Sequence, residues 1–228
     1  MAGNQKHRPK VIAFDVVETL FDLQSVGARL RDLGVGPGAL ETWFAQLLRD
    51  AFALDTSGSF KPFPEVAASS LAVLLHHHGI ESIDDQLRQV LDGFSRMPPH
   101  PDVRPALELV NRAGLRAITL SNGSQQSTVK LLEQAGLREL IWKVISIDEV
   151  RHWKPRAEVY LHAAKLCDVE PNEMALIAAH SWDTQGAGRA GLTTGWVGRK
   201  NQIFAAAMDP PDVQGKTLVE VVNALLAL

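Results

Sequence analysis

From Val103 onward the sequence alternates between short apolar runs and longer segments of helical periodicity, and this alternation limits the fold more than any other feature. Residues 103–113 read as a helix stopped by Gly114, 115–120 as a strand, and 125–135 as a helix ended by Gly136. Residues 142–146 read as a strand, Ala157–Leu166 as a helix, 174–179 as a strand and 183–190 as a helix. Residues 194–197 complete the series as the final strand, and Leu218–Leu226 is a closing helix. A first strand, Val11–Phe14, lies far upstream and ends in Asp15. Such runs, apolar throughout and rich in β-branched residues, suit strands buried on both faces. Strands alternating with helices imply an α/β chain in which helices wrap both faces of a parallel sheet.

The stretch between the first strand and this series is different. Leu30, Leu33, Leu40, Trp43, Leu47, Leu48, Ala51 and Leu54 recur at helical spacing. The glycine-rich run 34–38 and the proline-containing run 60–64 divide it, and 66–78 and 83–94 read as two further helices. Met97-Pro-Pro-His-Pro101 marks the boundary with the alternating part of the chain. The expected organisation is a core of residues 1–22 and 98–228 with a helical cap, 23–97, inserted after the first strand. Placed at the carboxyl edge of the sheet, such a cap would close over a site and exclude water.

Composition narrows the function. The net charge of -3 across 228 residues gives no positive field to attract nucleic acid or an anionic membrane. No apolar run approaches the roughly 20 residues that span a bilayer, and the polar, basic N-terminal segment is not of signal-peptide type. The single cysteine, Cys167, rules out an internal disulfide and a thiolate metal cluster. A cytoplasmic setting is expected. The run His76-His-His78 reads as a solvated helix end, since consecutive helical residues do not share a face.

Polar residues stand where the apolar runs stop. Asp15 follows the first strand, Ser121 and Asn122 the second, Asp148 and then Lys154 the third, and His180, Ser181 and Asp183 the fourth. Parallel strands would carry a carboxylate, a hydroxyl, a lysine and a second carboxylate to one edge. Each taken alone has a simpler reading: Asp15 and Asp183 as caps, Ser121-Asn-Gly123 as turn chemistry, Lys154 as a surface lysine. Their joint order favours a site.

Asp15-Val-Val-Glu-Thr19, Leu120-Ser-Asn-Gly123, Lys154-Pro-Arg-Ala-Glu-Val-Tyr160 and Ala179-His-Ser-Trp-Asp183 resemble, in order, the motifs of the haloacid dehalogenase superfamily. Within it the chain is most similar to the 2-haloacid dehalogenase branch. The signs are Thr19 followed by Leu-Phe-Asp22, Tyr160 six residues after Lys154, and the run 181–187. The resemblance implies a Rossmann-like core with a helical cap, a small anionic organic substrate and a possible homodimer. It implies two displacements: Asp15 attacks the halogen-bearing carbon, and water then cleaves the ester. Lys154 would keep Asp15 ionised; Thr19, Ser121 and Asn122 would hydrogen-bond substrate or ester oxygens. Asp183 would hold Lys154 or position water, and Tyr160 would support the nucleophile or the lysine. Val16, Val17, Trp43, Phe44 and His180 are the expected substrate contacts.

Several positions depart from that pattern. Members that act as phosphatases are similar in having aspartate two residues after the nucleophile, as acid to a leaving alcohol; this chain has Val17, which cannot donate a proton. A halide needs none. No metal and no other cofactor is therefore expected. Where the resemblance implies a halide-receiving arginine after a cap tryptophan, Trp43 is followed by Phe44, with Arg49 further along. Ala178 and His180 replace the usual serine and asparagine, and Glu18 stands where many members have glycine. Two readings of His180 stay open, a water-positioning group and a satisfied strand-end histidine. Two alternatives to a dehalogenase also stay open: a phosphatase of the same fold, and a catalytically weak binding protein.

Overall fold

The computed structural model describes residues 8–81, 83–199 and 203–228. The basic N-terminal residues up to His7 lie outside the described residues. Strand β1, Val11–Phe14, is followed by four helices: α1 Gln24–Asp32, α2 Ala39–Thr56, α3 Phe63–His77 and α4 Asp84–Leu91. A 3-10 turn, Asp92–Arg96, leads from α4 to α5, Val103–Arg112. The alternating part then runs β2 Arg116–Ser121, α6 Gln125–Gln134, β3 Lys143–Ser146, α7 Ala157–Leu166, β4 Met174–Ala178, α8 Ser181–Arg189, β5 Thr193–Val197, β6 Val213–Gly215 and α9 Leu218–Leu226.

The strands form one sheet in the order β3-β2-β1-β4-β5-β6, with every adjacent pair parallel. All residues of β1, β4 and β5 are buried, as strands covered on both faces must be. β1 lies between β2 and β4, so the chain leaves it on one side and returns on the other. That reversal opens a crevice at the carboxyl ends of the strands. The register places groups there: Phe14 pairs with Thr119 and Ile177, so Asp15, Ser121 and the residues after Ala178 emerge together.

Short local signals set the helix ends. Ser124 caps α6 by accepting from Ser127 N, and Thr217 caps α9 by accepting from Glu220 N. Gly34 and Gly38, at φ 80° and 83°, make the left-handed turns that separate α1 from α2. The segments entering and leaving the helical block lie side by side: Asp22 N donates to Pro98 O at 2.9 Å and His100 N to Leu20 O at 2.9 Å.

The sheet does not end at β5. Val213–Gly215 adds a sixth strand, pairing Gly195 with Val213. Three residues including a glycine carry no detectable alternation, so this strand exists only through its neighbour. Trp142, expected at the start of β3, lies outside it, with Arg116 and Lys143 stacked over its ring at 4.6 and 4.7 Å. No helix among the described residues is long and apolar enough to cross a membrane.

Gly195 is needed for close packing inside the sheet, since an added Cβ would lie 2.6 Å from Val221 Cγ1 and 3.3 Å from Ile177 Cγ1. Gly195→Ala is expected to lower stability by about 1–3 kcal/mol, measured as a drop in the urea midpoint at unchanged slope.

Candidate active site

Lys154 lies at the centre of the edge formed by β1, β2 and β4. It is fully buried, and its ammonium donates to Asp15 Oδ1 at 2.7 Å, Asp183 Oδ2 at 2.6 Å and Leu120 O at 2.9 Å. All three ammonium protons are therefore used. Each carboxylate has a second support. Thr19 Oγ1 donates to Asp15 Oδ2 at 2.6 Å and accepts from Ala179 N at 2.9 Å, tying the loop after β1 to the end of β4. Tyr160, on α7, donates its hydroxyl to Asp183 Oδ1 at 2.6 Å. Tyr160 thus backs the second carboxylate rather than touching Asp15 or Lys154.

Asn122 Oδ1 accepts from Lys154 N at 3.0 Å, and Ser121 Oγ accepts from Gly123 N at 2.9 Å. Both residues fix backbone at the site. Gly186 of α8 lets Tyr160 and the lysine loop approach: an added Cβ would lie 2.5 Å from Pro155 and 2.8 Å from Tyr160 Oη.

His180 forms the other flank. Its Nε2 is 3.1 Å from Glu18 Oε2, and its Nδ1 stands 3.5 Å from Asp15 Oδ2. The ring lies between aromatic neighbours, with Trp182 stacked at 5.1 Å and Phe44 tilted at 6.1 Å. Glu18 reaches this position from a left-handed backbone, φ 63°, a conformation that costs a non-glycine residue about 1–3 kcal/mol and persists where the surroundings impose it.

The electrostatics follow from burial and pairing. Burial pushes Asp15 up, but the Lys154 ammonium and His180 outweigh it and hold the carboxyl well below the usual carboxylate range. For Lys154, burial acts downward and the two aspartates more than reverse it, leaving the ammonium firmly charged. Asp183 is raised, by burial first and by the Asp15 charge, against the pull of Lys154. Burial, with the Asp183 charge, drives the Tyr160 hydroxyl upward, so it remains a donor. His180 is lowered by burial but raised more by the Asp15 and Glu18 carboxylates, to about 9.

A cavity of about 280 Å³ opens beside His180, lined by Glu18, Phe44, Leu48, His100 and Arg199 among others. Phe44 therefore faces it. Trp43 does not: it is buried, donates Nε1 to Ser70 Oγ at 2.9 Å, and packs edge-on against Phe94 in the helical block. Adjacent residues of α2 point in different directions, and Trp43 is turned into the helical block. Val16 and Val17 line a separate cleft, bounded by Phe63, Phe94 and Ser121. Glu18 and Trp182 were not among the expected site residues; the glutamate in a glycine position and the Trp two residues after His180 are the signals that point to them.

A family model described as haloacid dehalogenase-like hydrolase matches residues 9–191. The (S)-2-haloacid dehalogenase of Pseudomonas sp. (strain YL) is 30% identical over 217 residues, covering 94% of this chain and 93% of the relative. Haloacetate dehalogenase H-2 of Moraxella sp. (strain B) is 25% identical, covering 96% of this chain and 97% of its own. The solved L-2-haloacid dehalogenase from Xanthobacter autotrophicus superposes with a TM-score of 0.85 at 25% identity, over 96% of this chain and 99% of that one. The chain belongs to the haloacid dehalogenase-like hydrolases.

Protonation of His180 is coupled to stability. Its folded pKa, about 9, lies above the ordinary 6.5, so the stabilisation is complete below pH 6.5 and is lost as pH rises through about 9. Thermal melts across that window should show a falling Tm for the wild type and a flatter profile for His180→Asn.

Proposed function

We propose that this chain is a hydrolytic dehalogenase of short 2-haloalkanoic acids, yielding 2-hydroxy acid and halide through an ester on Asp15. The observation that carries this reading is the fully buried Lys154 ammonium shared between Asp15 and Asp183. It keeps Asp15 an ionised oxygen nucleophile at neutral pH, in a setting that excludes bulk water. Helices α1 to α4, within residues 23–97, act as the cap over this edge.

In the first step an Asp15 carboxylate oxygen attacks C2 of the haloacid and the carbon–halogen bond breaks. Halide leaves with the bonding pair, and no proton is required. The substrate carboxylate meets the donors that the local network leaves over, the Ser121 hydroxyl and the Asn122 amide, near the N-terminus of α6.

In the second step water attacks the acyl carbon of the ester. His180 supplies the base. With Asp15 ionised, two carboxylates hold the imidazolium; once Asp15 is esterified, only Glu18 remains and the imidazolium releases its proton more readily. The neutral ring then takes a proton from the attacking water. As the ester breaks, the departing alkoxide takes the second proton of that water to become the 2-hydroxy acid, the Asp15 charge returns and His180 is left protonated, which restores the starting state. Overall, one halide and one proton are released per turnover.

Val17 weighs against phosphatase chemistry, since that position offers no acid to a leaving alcohol. The residues also fit a divalent cation poorly, because Lys154 already bridges the two carboxylates that would ligate it.

Halide release from haloacetates and both 2-chloropropionate enantiomers, with and without magnesium, tests the reading. Turnover independent of magnesium is expected, and Asp15→Asn should abolish it. A single turnover in heavy-oxygen water should leave label in Asp15; label found only in the product would refute the ester. Glu18→Gln and His180→Asn should slow ester hydrolysis by about 100-fold or more, with an initial halide burst and a trapped ester detectable by intact mass.

A further inference from the structure

Asp55 is a buried acid at an unfavourable place. It lies in the last turn of α2, where the helix dipole is negative and a carboxylate is destabilised. Only 6% of its side chain is exposed, and acids are rarely buried so far without partners. Both partners come from the segment directly before Lys154. His152 Nδ1 is 2.8 Å from Oδ1, and Trp153 N donates to Oδ2 at 2.8 Å.

The neighbours of this pair are fixed to the same part of the helical block. Trp153 is fully buried, donates Nε1 to Lys61 O at 3.0 Å and stacks on Phe63 at 6.1 Å. Arg151, at a left-handed φ of 56°, lies over the Phe60 ring at 4.9 Å. Residues 151–153 are thus attached to the segment 55–63, while Lys154 itself is attached to the core through Asn122, Asp15 and Asp183.

Phe44, Leu48, Phe52 and Asp55 follow one another at spacings of four, four and three, so they share one face of α2. Phe44 and Leu48 line the cavity and Phe52 packs on Trp182 at 5.4 Å. The helix that walls the cavity therefore ends on the lysine loop.

We propose that Asp55 is a positioning residue for Lys154: its carboxylate holds the 152–154 backbone so that the ammonium sits at hydrogen-bond distance from Asp15. Its kinetic consequence rests on the dehalogenase reading; its geometric consequence does not. The groups facing Asp15 are Lys154, His180 and, behind them, Asp183, with Glu18 on the nucleophile's own loop; Arg156 lies near Asp55. Displacing Lys154 would remove the cation that keeps Asp15 ionised.

The test compares wild type, Asp55→Ala and Asp55→Asn. The carbon-13 shift of the Asp15 carboxyl, assigned by its loss in Asp15→Asn, is followed against pH, and kcat and KM are measured for a haloacetate. In Asp55→Ala the Asp15 carboxyl should titrate within the pH range over which the protein stays folded, where the wild-type carboxyl remains ionised throughout, and kcat should fall about 10- to 100-fold with KM within about threefold. Asp55→Asn keeps an oxygen acceptor for Trp153 N and should restore most of both. An Asp15 carboxyl that stays ionised throughout that range in a folded Asp55→Ala, with only Tm reduced, would overturn the proposal. If Asp55→Ala does not fold, His152→Ala combined with Asp55→Asn gives the same two readouts. A wild type that releases no halide while Asp15 still titrates in Asp55→Ala would refute the dehalogenase reading and leave the positioning role standing.

Discussion

A buried ammonium between two buried carboxylates organises this molecule. Moving such ions out of water costs several kcal/mol each, and only close, well-directed pairing offsets it. Lys154 meets that condition with three acceptors at 2.6 to 2.9 Å, and each carboxylate has a second donor, Thr19 on one and Tyr160 on the other. Loss of a single partner would strand a charge in a dry interior. The lysine loop, the Asp15 loop, the start of α8 and the middle of α7 therefore have one mutually consistent arrangement, and the sheet beneath them supplies the register that permits it.

The positions that depart from the family pattern are not independent of one another. Glu18 occupies a left-handed backbone position that glycine would fill without strain, and its carboxylate is spent on His180. His180 stands between that carboxylate and Asp15, with Phe44 and Trp182 against its ring. The cap arginine that the resemblance implies is replaced by Phe44, whose ring lies 6.1 Å from the His180 imidazole on the core. A flat aromatic neighbour suits an imidazolium, whose charge it stabilises through the ring quadrupole. The helical block meets the core over an aromatic surface at this point and over a charged one at Asp55.

Much of this was legible in the residue order. The alternation after Val103 gave strands β2 to β5 and helices α5 to α9 to within a few residues, because fully buried strands and amphipathic helices leave periodic traces. Asp15, Lys154 and Asp183 stood out as polar groups at the ends of apolar runs. What could not be read was pairing at a distance. Tyr160 could have served Asp15, Lys154 or neither; it serves Asp183. Trp43 and Phe44 look alike as neighbours, yet one packs inside the helical block and the other faces the cavity. Asp55 is one acid among many until residue 152 folds onto it.

Residue order alone set the class of fold, the succession of its elements and the chemical types gathered at the carboxyl edge, since these depend on local periodicity and on where apolar runs stop. Which atoms meet was left to packing in three dimensions: the shared ammonium, the Glu18–His180 pair, the sixth strand and the contact between α2 and the lysine loop. Each of these joins residues far apart in the chain at distances of a few ångströms, and the energy that selects them arises only after the sheet has excluded water around them.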